Sequence, residues 1–334
     1  MAAAPEGLLD QVARIADDVL FPRALEVDAR AQIPADHFGA LAAAGLFGIA
    51  GPVDAGGLDL DGRTQRRVRE LLAGGCLTTA FVWAQHQGVV RRLRRAPAAM
   101  QRKWLPDLCA GRVRGGVVLA GLLPAREPLL RIRQSHDGFT ITGHAPAVSG
   151  WGEVGVLLVA ARREPQDEVV YVLVDPRSPG LHVQPRMLAA LNGTQTVALE
   201  FHTVRVSAMA VVCVEPLPPW EAAGAAVRAN GAYSIGVADR CARIAGEPWM
   251  QAALQACRAA LEDSADGDEL AQARADAALL AHRLASHLVA ARGSSALDVR
   301  EHAQRLAREA IFLLAFGQRP AIGQALLERL ERGW

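Results

Sequence analysis

The sequence predicts an α+β chain in three parts: helices, then short strands, then helices again. Two changes of texture carry this reading. Near "GGVV" the apolar spacing shifts from three-and-four to short runs of Val, Ile, Leu and Thr between turn signals. After "VEPLPP" it shifts back to long, Ala-rich stretches. The boundaries so read are 1–113 for an all-α part, 114–214 for a β part and 215–334 for a helical bundle.

Each element has its own signal. Leu8, Val12, Ile15 and Val19 fall on one face of a helix over 8–29, with Asp, Arg and Glu between them. Pro34 suits the first residue of a second, short helix that ends near "AAGLFG". "GPVDAGGLDLDG" reads as a loop, and residues 64–92 and 97–110 as further helices. In the middle, "GFTITG", "VGVLLVAAR", "EVVYVLVD", "GLHVQP" and "TVALEFHTVRV" follow one another without helices between them. Short strands at that spacing predict an antiparallel β-barrel or sandwich. The last part predicts helices over 220–245, 248–263, 268–292 and 297–315, with Leu280, Leu284 and Leu288 as a buried stripe. Pro320 interrupts the final helix.

Composition excludes several functions. The formal net charge of +1 offers no bulk attraction for nucleic acid or anionic membrane. Lys103 is the only lysine, which reads as compositional bias rather than function. The five cysteines form no C-x-x-C pair, and their odd number argues against a disulfide framework or a zinc site. With an acidic, amphipathic N-terminus unlike a signal peptide, they predict a cytoplasmic protein. No run approaches the roughly 20 apolar residues needed to span a bilayer. There is no G-x-G-x-x-G after a strand, no P-loop, no H-E-x-x-H and no G-x-S-x-G.

Local phrases then add a resemblance. "AAGLFGIAGPVDAGGLDLDG" is similar to the "GLxGxxxPxxxGGxG" segment of the acyl-CoA dehydrogenase family. "GFTITGHAPAVSGWGEVGVLLVAAR" is similar to its "GxxxxGxKxWITNxxxADxxxVxAR", and "SPGLHVQP" and "LNGTQTVALEFHTVRVS" to the segments that follow. The phrases come in the family's order over about residues 1–215, and the last third resembles the family by helical layout. The resemblance implies FAD between the middle barrel and the C-terminal helices, with an acyl-CoA or related thioester beside it. It implies α,β-dehydrogenation, in which a glutamate takes the α-proton and the β-hydrogen leaves as hydride.

Carried over residue by residue, the resemblance gives Ser149 the place of a flavin-bonding Thr, able to donate, and Val148 the place of the preceding Ile. Ala147 replaces a flavin-packing Trp, with Trp151 nearby. "LAGLLP" replaces a flavin-edge loop, so Leu119, Gly121 and Leu122 offer backbone groups alone. Arg258 is the candidate for FAD phosphates across a subunit interface, and Gly293 and Ser294 are candidates for amides on a phosphate. The base is missing. Phe316 or Gly317 stands at one family location, and Ala226 and Val227 at the other. His86 is a substitute base or a helix-packing histidine, and Glu309 pairs within the bundle.

Three functions follow: an FAD-dependent acyl-CoA dehydrogenase with an unusual base, a non-catalytic subunit whose base-containing homologue completes a heteromer, or a flavin monooxygenase-like relative. The Ala-rich helices and the family's shared FAD site both imply an oligomer.

Overall fold

The computed structural model describes residues 6–123, 129–217 and 224–332. The first helix is an unbroken rod of α1 (Leu8–Arg14), a π-turn (Ile15–Leu20) and α2 (Phe21–Arg30). Pro22 explains the wide turn. It has no N–H to donate and crowds the carbonyl four residues back, so the Phe21 amide reaches Ala16 O instead. Pro34 caps α3 (Ala35–Ala43) from outside rather than opening it.

The helix expected over 64–92 is two helices, α4 (Gly62–Gly75) and α5 (Leu77–Leu93), broken where Cys76 adopts φ −151° and ψ 107°. Asp61 starts α4 by accepting from the Thr64 amide at 2.9 Å. α6 (Ala98–Cys109) completes this region.

Eight strands follow: β1 (Gly115–Val118), β2 (Leu130–Ser135), β3 (Gly138–Val148), β4 (Val156–Arg163), β5 (Glu168–Val174), β6 (Leu181–Pro185), β7 (Val197–Val206) and β8 (Val211–Pro216). They form one sheet in the order β6-β7-β3-β2-β4-β5-β8, with β1 on β4. Most pairings are antiparallel as expected, but β1 and β2 both pair β4 in parallel. The sheet curls, so Leu199 and Phe201 of β7 share an inner core with Val170 and Val172 of β5. Its other face carries Val156, Leu158, Ala160 and Tyr171 against Val89 and Leu93 of α5 and Leu105 and Leu108 of α6. β4 is therefore apolar on both sides, which is why "VLLVAA" shows no alternation.

The C-terminal helices are α7 (Gly224–Ala245), α8 (Pro248–Asp263), α9 (Asp268–Arg292), α10 (His302–Ala315) and α11 (Pro320–Arg332). Their ends follow the sequence signals, Pro248 beginning α8 and Gly267 preceding α9. α9 lies at the centre, touching α7, α8, α10 and α11. Its alanines 273, 275, 277, 278, 281 and 285 are all buried, so the neighbours approach closely. Leu284 and Leu288 are buried and Leu280 half-buried. Both helical regions share one apolar core that runs from Leu8 to Leu326.

They join where α4 crosses α7. A Cβ on Gly236 would overlap the Glu70 carbonyl oxygen, and one on Gly74 would stand 3.0 Å from Gly236 O. Arg240 seals the crossing by donating from Nε to Gly74 O at 2.6 Å. Gly236→Ala is expected to destabilise the protein by about 1–3 kcal/mol, the usual cost of overpacking a tight interior. The check is the urea midpoint with the m-value held constant, and an unchanged midpoint contradicts the close crossing.

Candidate functional site

An open cleft lies between the sheet and the last helix. It is a cavity of about 850 Å³ with Leu123 and Leu129 on one side and Gln318, Gly323, Leu327 and Glu328 on the other. It brings together two segments 190 residues apart in sequence that the resemblance singled out, "LAGLLP" and "AFGQ". Its lining mixes Leu123, Leu129, Leu327 and Pro320 with Gln318, Gln324 and the charged Arg319, Glu328 and Glu331. Gln318 is fixed there by donating to Leu314 O at 2.6 Å.

Leu119, Gly121 and Leu122 form the turn that delivers Leu123 to this cavity. A 3₁₀ turn over Ala120–Leu122 is closed by the Leu122 amide on Leu119 O at 2.9 Å. Gly121 is needed by the sheet, because a Cβ there would overlap Ala160 O.

Ser149 directly follows β3 and joins a chain of hydroxyls. Thr194 Oγ1 donates to Leu191 O at 2.7 Å, which uses its proton. Thr196 Oγ1, 2.8 Å from Thr194 Oγ1, must therefore donate to it. Ser149 Oγ, 2.7 Å from Thr196 Oγ1, must in turn donate to Thr196. In this arrangement Ser149 spends its proton on Thr196, where the resemblance implied donation to a flavin. Val148 beside it is buried in the inner sheet core, and Trp151 packs partly against the same core.

The two locations where the resemblance places a base meet in space. Gly317, at φ +67°, packs on Asn230, one turn along α7 from Ala226 and Val227. Phe316 packs with Phe81 at 4.8 Å, Phe312 at 5.4 Å and Tyr233 at 6.1 Å between ring centroids. A carboxylate at 317 would need a left-handed backbone and would collide with Asn230. Val227 is buried and apolar, and Ala226 is exposed. Arg69 lies over the Tyr233 ring at 5.1 Å and donates to Ala229 O.

Comparison with known proteins decides the fold. Residues 4–112 match the family model described as "Acyl-CoA dehydrogenase, N-terminal domain". A probable acyl-CoA dehydrogenase from Mycobacterium abscessus superposes with a TM-score of 0.83 at 17% identity, over 98% of this chain and 99% of that one. This chain has the acyl-CoA dehydrogenase fold. Among proteins similar in sequence, acryloyl-CoA reductase (NADH) of Anaerotignum propionicum is 27% identical over 248 residues, 70% of this chain and 62% of that protein. The probable acyl-CoA dehydrogenase FadE10 of Mycobacterium tuberculosis is 30% identical over 198 residues, 54% of this chain and 30% of that protein. The matched stretch thus spans less than two thirds of either relative.

Within this dehydrogenase fold neither Ser149 nor any of the other candidates is among the cleft's lining residues. Arg258, on α8, pairs with Glu70 through Nε at 3.0 Å and through Nη2, and with Gln255 at 2.7 Å. It lines a separate, ionic cavity of about 440 Å³ with Arg63, Arg67 and Glu262. An anion there would have to displace Glu70. Gly293, at φ +60°, and Ser294 sit exposed in the turn after α9. Glu309 is buried and pairs with Arg305 at 2.5 Å, the expected bundle pair. Sequence reasoning missed the hydroxyl chain, although "NGTQT" carries both threonines, and it missed the aromatic cluster, whose rings come from three helices. Among the described residues no group of three His, Cys, Asp or Glu is placed to hold a metal, and no helix is long and apolar enough to cross a membrane.

His86 is a structural pin. Its Nδ1 accepts from the Gly115 amide at 3.0 Å and its Nε2 donates to Phe47 O at 3.2 Å. With both nitrogens committed, the geometry fits the helix-packing reading of the two given for His86. Burial pushes it down to about 4. The folded chain therefore binds fewer protons than the unfolded one between pH 6.5 and 4. Stability from a neutral His86 is present above pH 6.5 and lost as pH falls toward 4. The expected loss reaches about 3 kcal/mol below both values. Urea midpoints measured from pH 7 to 4 should fall in the wild type and fall less in His86→Gln; equal slopes contradict the assignment.

Proposed function

We propose that this chain is an FAD-binding, acyl-CoA dehydrogenase-like oxidoreductase subunit that depends on a partner for the proton-abstracting carboxylate. The observation that carries the reading is the dehydrogenase fold over the whole chain together with the matched N-terminal domain, with an open cleft between sheet and α11. Bound there, the flavin supplies the acceptor for a hydride from an acyl thioester.

The chain's own residues define the rest. Ser149 presents lone pairs and so receives a hydrogen bond from a ring N–H. Its orientation is held by Thr196 and Thr194, with no water needed to complete the chain. Leu123, Leu129 and Leu327 give the open cleft its apolar contacts. The residues that would meet a flavin edge are Ser149 and the backbone of Leu119 and Gly121, the Leu122 amide being bonded to Leu119 O. At both expected base locations the side chains are Ala226, Val227, Phe316 and Gly317, none of which accepts a proton. Dehydrogenation removes a proton as well as a hydride, and a positioned base typically contributes about 10² to 10⁴ in rate. The missing carboxylate favours a heteromer with a base-containing homologue over a self-sufficient enzyme. A cytoplasmic oligomer is the expected state.

The test is reconstitution with FAD followed by anaerobic mixing with acyl-CoAs of several chain lengths. The expected result is a yellow protein whose flavin is not bleached by any acyl-CoA until the base-containing homologue is added. Colourless protein with no thermal shift in FAD, alone and with that homologue, overturns the cofactor reading. Rapid bleaching by this chain alone overturns the dependence on a partner. Ser149→Ala is expected to weaken FAD binding about 3- to 20-fold, the range for one hydrogen bond to a ligand. Fluorescence quenching of free FAD measures it, and unchanged affinity removes Ser149 from the site.

A further inference from the structure

A surface cavity of about 420 Å³ lies where α6 meets the start of β4, the end of β5 and the turn between β7 and β8. None of its lining residues belongs to the cleft between the sheet and α11. Its floor is apolar, with Met100, Val156 and Leu173 buried there. Trp104 beside them is half-buried, and Met209 of the turn is 80% exposed. An indole and two thioethers suit a flat ring, which stacks on the first and takes sulfur at its edge.

Besides the Trp104 indole, the polar side chains on the lining are Lys103, Ser207 and Asp175. Asp175 is already neutralised. Its Oδ1 accepts from the Arg177 amide at 2.8 Å and from Nε at 3.0 Å, and its Oδ2 accepts from Nη2 at 2.9 Å. Lys103 has no such partner. Among the described residues no carboxylate pairs with it, and its ammonium lies 5.7 Å from the Trp104 ring centroid. Ser207 Oγ accepts from the Met209 amide at 3.2 Å and keeps its own proton to give. The lining therefore carries an uncompensated cation and a free hydroxyl donor, while its carboxylate is spent. Lys103 is also the chain's only lysine. An ammonium is a compact point charge on a flexible stem, whereas a guanidinium would stack on the indole and cover it.

We propose that this cavity binds an aromatic carboxylate, its ring against Trp104, Met100 and Met209 and its carboxylate on Lys103. Its volume falls in the range of about 300–1,000 Å³ usual for small-molecule sites. With Asp175 held by Arg177, the charge left on the lining is that of Lys103, so an anion gains there through a charge-assisted hydrogen bond. The ammonium stands next to the indole, so a short, rigid ligand meets both. The site does not depend on the flavin reading.

Isothermal titration of the full chain with naphthoate, naphthamide and octanoate tests this. Naphthoate is expected to bind saturably. The amide should bind about fivefold more weakly or worse, the worth of one charged hydrogen bond near a surface. Octanoate, which lacks the ring contacts, should bind about threefold more weakly or worse. Lys103→Met removes the charge and should weaken naphthoate about fivefold or more. Met209→Asp sets a like charge at the mouth and should also weaken it. Both positions are exposed, so the thermal midpoint followed by circular dichroism should stay unchanged in each variant. No saturable naphthoate binding, amide or octanoate bound as tightly as naphthoate, or full affinity in either variant overturns the proposal.

Discussion

The structure depends on the distance at which α4 can cross α7. Gly74, Gly75 and Gly236 remove side chains at the contact, so two helix backbones and the π-turn at Ala16 meet almost without spacers. Only at that separation can the N-terminal and C-terminal helices share one core. The sheet then has a fixed wall to lie on, since α5 runs directly from the glycine break at Cys76 and carries the outer core of β4 and β5.

The interior on the helical side is organised by aromatic and ionic groups that stabilise structure instead of exposing reactive atoms. Phe81, Tyr233, Phe312 and Phe316 interlock where a carboxylate would be wanted. Phe21 is stacked on His302 at 4.1 Å between centroids and lies under Arg240, whose Nη2 pairs with Asp17. These contacts fill space and bind charge. Among the described residues, Ser149 just after β3 is one polar group with bonding capacity left.

Much of the layout was legible because its signals are local. Pro248 and Gly267 mark helix ends wherever they occur, and the Val-rich runs leave little choice but strands. What was hidden depends on partners far away in sequence. The amphipathic pattern over 8–29 continues through the π-turn, so Pro22 alone gives it away. Gly74 and Gly75 read as tolerable helix glycines until Ala16 and Gly236 are seen against them. The parallel pairing of β1 with β4 leaves no mark on periodicity. In the site, the polarity of Ser149 is settled at Leu191 O, through two threonines, and no property of "APAVSG" encodes it. The absent carboxylate was visible at once, because an absence needs no geometry to read.

The shared core also sets an order on synthesis. Residues 8–109 cannot complete their interior when they leave the ribosome, because Val227, Ile235, Val237 and Ala238, which cover their apolar faces, lie more than a hundred residues later. A ribosome adding about 5–20 residues per second takes several seconds or more to deliver α7. For that interval Leu72, Leu77 and Phe81 are left partly uncovered, and the nascent chain is a natural client for chaperones that hold apolar segments. A gene fragment ending before α7 should therefore yield aggregates, not a smaller folded domain.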